Sequence, residues 1–174
     1  MATELISPDI QIDDNPEHYE LLNGRMIRKA SVGRKKHSDL EIIILNILKP
    51  LAKNAGASVA QEWTMLNGPD KVIPDVTFSF PEPKLSDGYL VAPAFLVVET
   101  ASKDQSLSSL LRKCRDRYHA FGTPYCWVID SNEEAGYECH KADNGLFRLV
   151  DVLTAGPDIN VSVSIIFDEL KKQS

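Results

Sequence analysis

The sequence is short of positive charge, of paired cysteines and of long apolar runs, and each shortage argues against a class of function. With 19 lysines and arginines against 25 aspartates and glutamates, the 174-residue chain carries a net charge of −6. Proteins that coat nucleic acid draw their affinity from a broad positive surface, so this balance speaks against that class and leaves only local basic patches to meet a phosphate backbone. Two such patches exist: Arg34, Lys35 and Lys36 run into His37, and Arg112, Lys113, Arg115 and Arg117 crowd one stretch. A solvated helix face accounts for either run as readily as a ligand contact does. The three cysteines, Cys114, Cys126 and Cys139, are odd in number and form no Cys-x-x-Cys pair, which signals neither a zinc knuckle nor a disulfide framework. Reduced thiols in cytosol are the expectation. No stretch approaches the roughly 18 apolar residues that a membrane helix needs, and the first residues lack the basic start and apolar run of a leader. A soluble, cytoplasmic protein is expected. Gly-rich phosphate loops, His-Glu-x-x-His and Gly-x-Ser-x-Gly are missing as well.

What is present suits one ordinary domain: 43% of the residues are hydrophobic and 25% charged. Residues 1–15 are polar and patternless and read as a flexible arm, which leaves 16–174 as a single domain. Tyr19–Leu22 and Arg25–Ala30 flank Asn23-Gly24, a pair suited to a two-residue hairpin turn. From His37 to Asn54, Leu40, Ile44, Ile47, Leu48 and Leu51 line one helical face, with Pro50 expected to kink or end the helix. Strand-like runs follow at Ser58–Leu66, Val72–Phe80 and Ala94–Thr100. A second helix carries the stripe Leu107, Leu110, Leu111, Cys114, Tyr118 and Phe121, stopped by Gly122 and Pro124. Tyr125–Asp130 reads as a buried strand, Gly136–Lys141 and Leu146–Leu153 as a hairpin over Asn144-Gly145, and Ile159–Phe167 as an edge strand before a short polar tail. Trp63 and Trp127 sit in apolar runs and read as core. The order implies an α/β fold with a central mixed β-sheet flanked by helices, an N-terminal hairpin and C-terminal antiparallel strands.

Two carboxylates stand in unusual places. Asp75 interrupts Val-Ile-Pro-Asp-Val-Thr-Phe, and Glu99 ends Ala-Phe-Leu-Val-Val-Glu. Acids rarely occupy such positions unless paired or bound to metal. If the two runs are sheet neighbours, the side chains converge and repel until a cation joins them. Hard oxygen ligands of this kind suit Mg²⁺ or Mn²⁺. The spacing alone also fits a capped strand end for Glu99 and a turn partner for Asp75.

Pro74-Asp75 followed by Glu99 in an apolar strand resembles the PD-(D/E)xK nuclease superfamily. A longer set of segments comes in one order: Tyr-Glu-Leu-Leu-Asn-Gly at 19–24, His37 opening a helix, Val-Ile-Pro-Asp-Val at 72–76, Leu-Val-Val-Glu-Thr-Ala-Ser at 96–102, and Tyr118 to Asp130. Together they resemble the Uma family of restriction-endonuclease proteins, from about Tyr19 to the C-terminal strands. The resemblance implies a restriction-endonuclease-like core in which Asp75, Glu99 and the backbone carbonyl of Thr100 hold Mg²⁺ or Mn²⁺. It implies hydrolysis of DNA phosphodiesters, with a lysine offsetting developing charge.

That lysine is displaced. The superfamily signature places it two residues after the glutamate, where this chain has Ala101, and the family usually places it four residues before the helix tyrosine, where this chain has Cys114. Lys113, Lys103 and Arg117 compete for the role, in that order, each with a surface reading beside it. Glu20, His37 and Glu41 are candidates for an outer shell or a DNA contact, against capping or solvated roles. Two functions follow: a Mg²⁺-dependent DNA endonuclease, or a nuclease-fold metal- or DNA-binding regulatory module that lost turnover with its lysine. A homodimer is expected from the symmetry of duplex DNA.

Overall fold

Asn23 and Gly24, both at positive φ, close the hairpin between β1 (Tyr19–Leu22) and β2 (Arg25–Arg28). The structure, a computed structural model, describes residues 19–29, 35–81, 83–101 and 105–173. The arm expected over 1–15 and the candidate Lys103 lie outside the described residues. Among the described residues, no helix is long and apolar enough to cross a membrane.

Helix α1 (Lys35–Ala55) buries Leu40, Ile43, Ile44, Leu48 and Ala52. It runs through Pro50 without stopping there. Pro50 and Asn46, whose carbonyl loses its helical donor, are both on the exposed side, where water replaces the missing N–H. The helix ends as its apolar pattern does, with Gly56 at φ 64 and Ala57 N–H donating to Ala52 O at 2.8 Å.

Three runs expected as single strands are each divided, and the breaks have local causes. Ser58–Leu66 becomes β3 (Ser58–Gln61) and β4 (Met65–Asn67), because Glu62 takes φ 48 and turns the chain out of its ladder. The Val72–Phe80 run becomes the end of β5 (Asp70–Val72) and β6 (Val76–Ser79), parted at Pro74, which has no N–H to give a ladder. After β7 (Leu85–Ser86), β8 (Tyr89–Leu90), β9 (Leu96–Ala101), helix α2 (Leu107–Lys113) and β10 (Tyr125–Asp130) come β11 (Ala135–His140) and β12 (Phe147–Val150). Asp151 then divides the third run, and β13 (Val152–Ala155) pairs instead with β14 (Ile159–Ser162). The edge strand expected over Ile159–Phe167 stops at Ser162. Val163, Ile166, Phe167 and Leu170 recur at helical spacing and are buried on α3 (Val163–Lys172), which takes the place of the polar tail.

The main sheet has the order β12-β11-β10-β9-β6-β3, with β9 and β10 parallel and the other pairs antiparallel. A smaller sheet, β2-β1-β5-β4-β8-β7, gathers the N-terminal hairpin and the short central strands. Strand alternation divides the core. Val76, Phe78, Leu96, Val98, Trp127 and Ile129 pack with α1 and α3, whereas Val97, Ala101, Cys126 and Val128 pack with α2 and the smaller sheet. Trp127 is core and donates its indole N–H to Thr154 O at 2.9 Å. Trp63 is not a strand residue; it is half-buried on the connection after β3 and bonds Gly88 O.

Helix α3 sits close on β11. A Cβ at Gly136 would lie 2.5 Å from Cγ2 of Val163, and a β-branched side chain has little freedom to turn away. Gly136→Ala should therefore destabilise the fold by about 1–3 kcal/mol, measured by urea unfolding. Adding Val163→Ala should recover part of that loss, and a neutral Gly136→Ala would refute the tight packing of α3.

Candidate active site

The site forms where β6 and β9 part. Their ladder pairs Phe78 with Leu96, Thr77 with Val97 and Val76 with Val98, and then stops. One step further, the Thr100 N–H is taken by a side chain: Asp75 Oδ2 accepts it at 2.7 Å and accepts the Thr100 hydroxyl at 3.0 Å. Since that hydroxyl donates to Asp75, it accepts from Nδ1 of His37 at 2.7 Å. Nε2 of His37 lies 2.7 Å from Glu41 Oε1, and Glu41 Oε2 accepts from Gln61 at 3.1 Å. With acceptors at both ring nitrogens, the imidazolium is the form that satisfies the site. Burial pushes the His37 pKa down, but Glu41 and Asp75 outweigh it and hold it above the ordinary value.

Glu99 precedes Thr100 and so faces the other side of the sheet, toward α2. Its Oε1 lies 2.9 Å from Lys113 Nζ and accepts the Tyr118 hydroxyl. Lys113 also meets Glu20 Oε1 at 2.9 Å; Glu20 in turn accepts the Ile73 N–H at 2.9 Å and holds Arg117 at 3.0 Å. The Glu99 side chain is buried, and burial raises its carboxyl to about 7 against the downward pull of Lys113. Burial also pushes Asp75 up, yet Lys29, His37, Lys113 and the Thr100 N–H together hold it below the usual carboxylate value.

Lys29, which follows β2, ties the two faces together. Its ammonium lies 3.0 Å from Asp75 Oδ1 and 3.1 Å from Glu62 Oε1. Burial lowers its pKa, but Asp75, Glu99 and Glu62 outweigh that and raise it. Sequence reasoning missed this residue. The available signal was phase: Lys29 alternates with Ile27, and Ile27 pairs across the hairpin with buried Glu20, so the strand period puts Lys29 on the same side as Glu20.

Lys113 reaches the acids because the helix changes type behind it. Residues Cys114–His119 form a π-helical turn, with i→i+5 hydrogen bonding in place of i→i+4. In that geometry the residue stacked one turn before Tyr118 is Lys113, five back, rather than Cys114, four back. Lys113 Nζ accordingly lies 5.5 Å from the centre of the Tyr118 ring, while Cys114 is buried in the core. A cleft of about 720 Å³, lined by Lys29, Glu99, Arg112, Lys113 and Arg117 among others, opens these groups to solvent.

A family model described as "Uma2: Putative restriction endonuclease" matches residues 6–166. The chain belongs to the Uma2 family. Among solved structures, a protein described as a putative nuclease belonging to DUF820 from Anabaena variabilis ATCC 29413 shares the fold, with TM-score 0.71 and 20% identity over 87% of this chain and 90% of that one. A DrdV–DNA complex aligns at TM-score 0.39 and 14% identity, over 79% of this chain and 12% of that one. No curated protein matches. The fold of this Uma2 chain is thus a restriction-endonuclease-like α/β core.

Restriction-endonuclease-like families are typically metal-dependent, and this chain carries a candidate donor set. His37, Glu41 and Asp75 are all buried and offer ligand atoms within 4.8 Å of one another. Once His37 gives up a proton, one imidazole nitrogen with two carboxylates fits a divalent cation, and suits Mn²⁺ better than a strict all-oxygen Mg²⁺ site. This grouping differs from the expected trio of Asp75, Glu99 and Thr100. Thr100 meets Asp75 through its N–H and hydroxyl, and Glu99 is engaged by Lys113 and Tyr118 on the opposite face.

Replacing the ammonium at 113 isolates its influence on Glu99. In metal-free Lys113→Met the carboxylate loses its strongest favourable charge, so the Glu99 titration should move above about 7, by about one to three pH units. Carbonyl-detected NMR of ¹³C-labelled glutamate reads this directly, and an unmoved or lowered titration would refute the pairing.

Proposed function

We propose that this Uma2 protein is a divalent-metal-dependent endonuclease that hydrolyses phosphodiester bonds of DNA, with Asp75, Glu99 and Lys113 as its catalytic set. The observation that carries the reading is Lys113 Nζ at 2.9 Å from Glu99 Oε1, on the strand next to the one that Asp75 precedes. Lys113 brings an amine to Glu99 although neither Ala101 nor Cys114 supplies one, and the charges of Lys29 and Lys113 act on both Asp75 and Glu99, which supports reading the three as one set.

The groups available to hold the metal are Asp75 with neutral His37 and Glu41; the family resemblance implies Asp75 with Glu99 instead. A bound divalent ion supplies Lewis acidity and a lowered pKa for water. The protein groups do the rest. A phosphodiester entering the cleft meets the ammonium of Lys113 and the guanidinium of Arg117, which orient it and offset the negative charge that builds on its oxygens. Glu99, whose carboxyl titrates near neutrality, is matched to accept a proton from the attacking water. Tyr118 and Lys113 fix Glu99 Oε1, leaving Oε2 for that proton. Lys29 and the Thr100 N–H hold Asp75 ionised. Glu20 positions both Lys113 and Arg117.

Supercoiled plasmid incubated with Mn²⁺ or Mg²⁺ should be nicked, and excess EDTA should stop the reaction. Glu99→Gln and Lys113→Met should each slow nicking by about 10²–10³-fold, with Asp75→Asn also abolishing Mn²⁺ binding in calorimetry. Metal and DNA binding without any nicking by the native chain would instead favour a regulatory module that kept the fold.

A further inference from the structure

Beside the acid-and-lysine cleft lies a second cavity of about 660 Å³ whose chemistry is different. Leu22, Ile27, Val72 and Phe121 give it apolar walls, and Asn23, Asn67 and Asp70 stand at the tips of the two hairpins that form its rim. Those tips are fastened together, because the Asn23 N–H donates to Asp70 Oδ1 at 2.8 Å. The two cavities share Ile27, Asp116 and Arg117. Contacts of 3.0, 2.9 and 2.9 Å lead from Arg117 through Glu20 and Lys113 to Glu99.

We propose that the second cavity is a subsite for one unpaired nucleobase of a single DNA strand whose backbone lies in the adjoining cleft. This rests on the nuclease reading above and names its substrate class. Four observations carry it. Arg25 and Arg117 stand against Asp70 and Asp116 in the second cavity, so its charges balance, whereas five cations face three acids in the first; phosphate is drawn to the first, and the second suits a neutral part of the ligand. The ammonium groups of Lys29 and Lys113 line only the first cavity, which divides backbone from base. Apolar walls with an aromatic ring, edged by carboxamides and carboxylates, match what an unstacked base needs: a stacking surface and partners for its Watson–Crick edge. Finally, Asp75 and Glu99 are 2% and 1% exposed. A phosphodiester must therefore descend into the cleft to meet Glu99, which lines it, and a single strand does so more readily than a continuous duplex. Each cavity has the volume of a site for one small molecule, which accommodates a nucleotide and not a base pair with its stack.

The experiment uses a fluorescein-labelled 12-nucleotide single strand and the duplex of the same sequence, with binding followed by fluorescence anisotropy in EDTA. The single strand should bind at least tenfold more tightly than the duplex. Phe121→Ala should weaken single-strand binding by about tenfold and Asn67→Ala severalfold, with duplex binding unchanged in both. Asn67 is exposed, so its variant decides the matter even if Phe121→Ala fails to fold. Equal or tighter duplex binding, or single-strand binding untouched by Asn67→Ala, overturns the subsite while plasmid nicking still decides the nuclease reading. Conversely, single-strand preference lost in the variants supports the subsite even where no plasmid is nicked.

Discussion

The carboxylate of Asp75 completes a sheet that its own backbone leaves unfinished. Pro74 ends the β6 side of the ladder, and the Thr100 N–H of β9 would be stranded in the interior without a partner. An unpaired buried donor costs about 1–3 kcal/mol, so Asp75 Oδ2 at 2.7 Å is part of the fold before it is part of any chemistry. The same contact fixes the carboxylate in place. Because Thr100 and Glu99 are successive residues of one strand, securing Thr100 also sets the direction of Glu99, toward the opposite face and α2. One hydrogen bond thereby orients two acids.

Placing acids there creates a charge problem that the surrounding elements answer jointly. Glu20, Glu41, Asp75 and Glu99 are all buried. An isolated buried carboxylate is strongly disfavoured, and removing one partner of a buried pair leaves the other uncompensated. Lys29 comes from the end of the N-terminal hairpin, His37 from the first turn of α1, and Lys113 and Arg117 from α2 and its π-helical continuation. These four cations arrive from three separate elements, so correct assembly of the tertiary fold is what makes the acids tolerable. Conversely, the acids hold those elements at one end of the sheet.

Those parts of the structure whose causes are local were legible in the sequence. Asn23-Gly24 marked the hairpin, the spacing of Leu40, Ile44 and Leu48 marked α1, and Asp75 and Glu99 stood out because acids in apolar runs are rare. What escaped depends on events between elements. Glu62 at φ 48 divides a strand that pattern alone makes continuous, and residues 159–167 mix a period of two with a period of 3.6. Lys29 looked like an ordinary strand lysine, since only the pairing of Ile27 with Glu20 reveals which face it occupies. Lys113 was nameable but misaimed, because an α-helical count gives the inward slot to Cys114. The π-helical turn adds one residue to the interval before Tyr118 and turns Lys113 toward Glu99 and Glu20. Spacing rules assume a helix type, and here the type changes at the residue that matters.

The charge balance at the site bears on how a polyanion would engage it. Lys29, Lys113, Arg117 and protonated His37 face Glu20, Glu41, Glu62, Asp75 and Glu99, so the cluster is close to neutral, in a chain whose net charge is −6. Long-range attraction of a nucleic acid is therefore weak, and salt screening has little to act on. Under the proposed function, affinity would come from short-range terms: desolvated hydrogen bonds, stacking and a divalent cation, which would add two positive charges among the acids. That is the opposite of a coat protein's economy of many phosphate contacts. It makes engagement depend on a substrate shape that reaches into the cleft, and so places selectivity in the walls of the site rather than in the field around the protein.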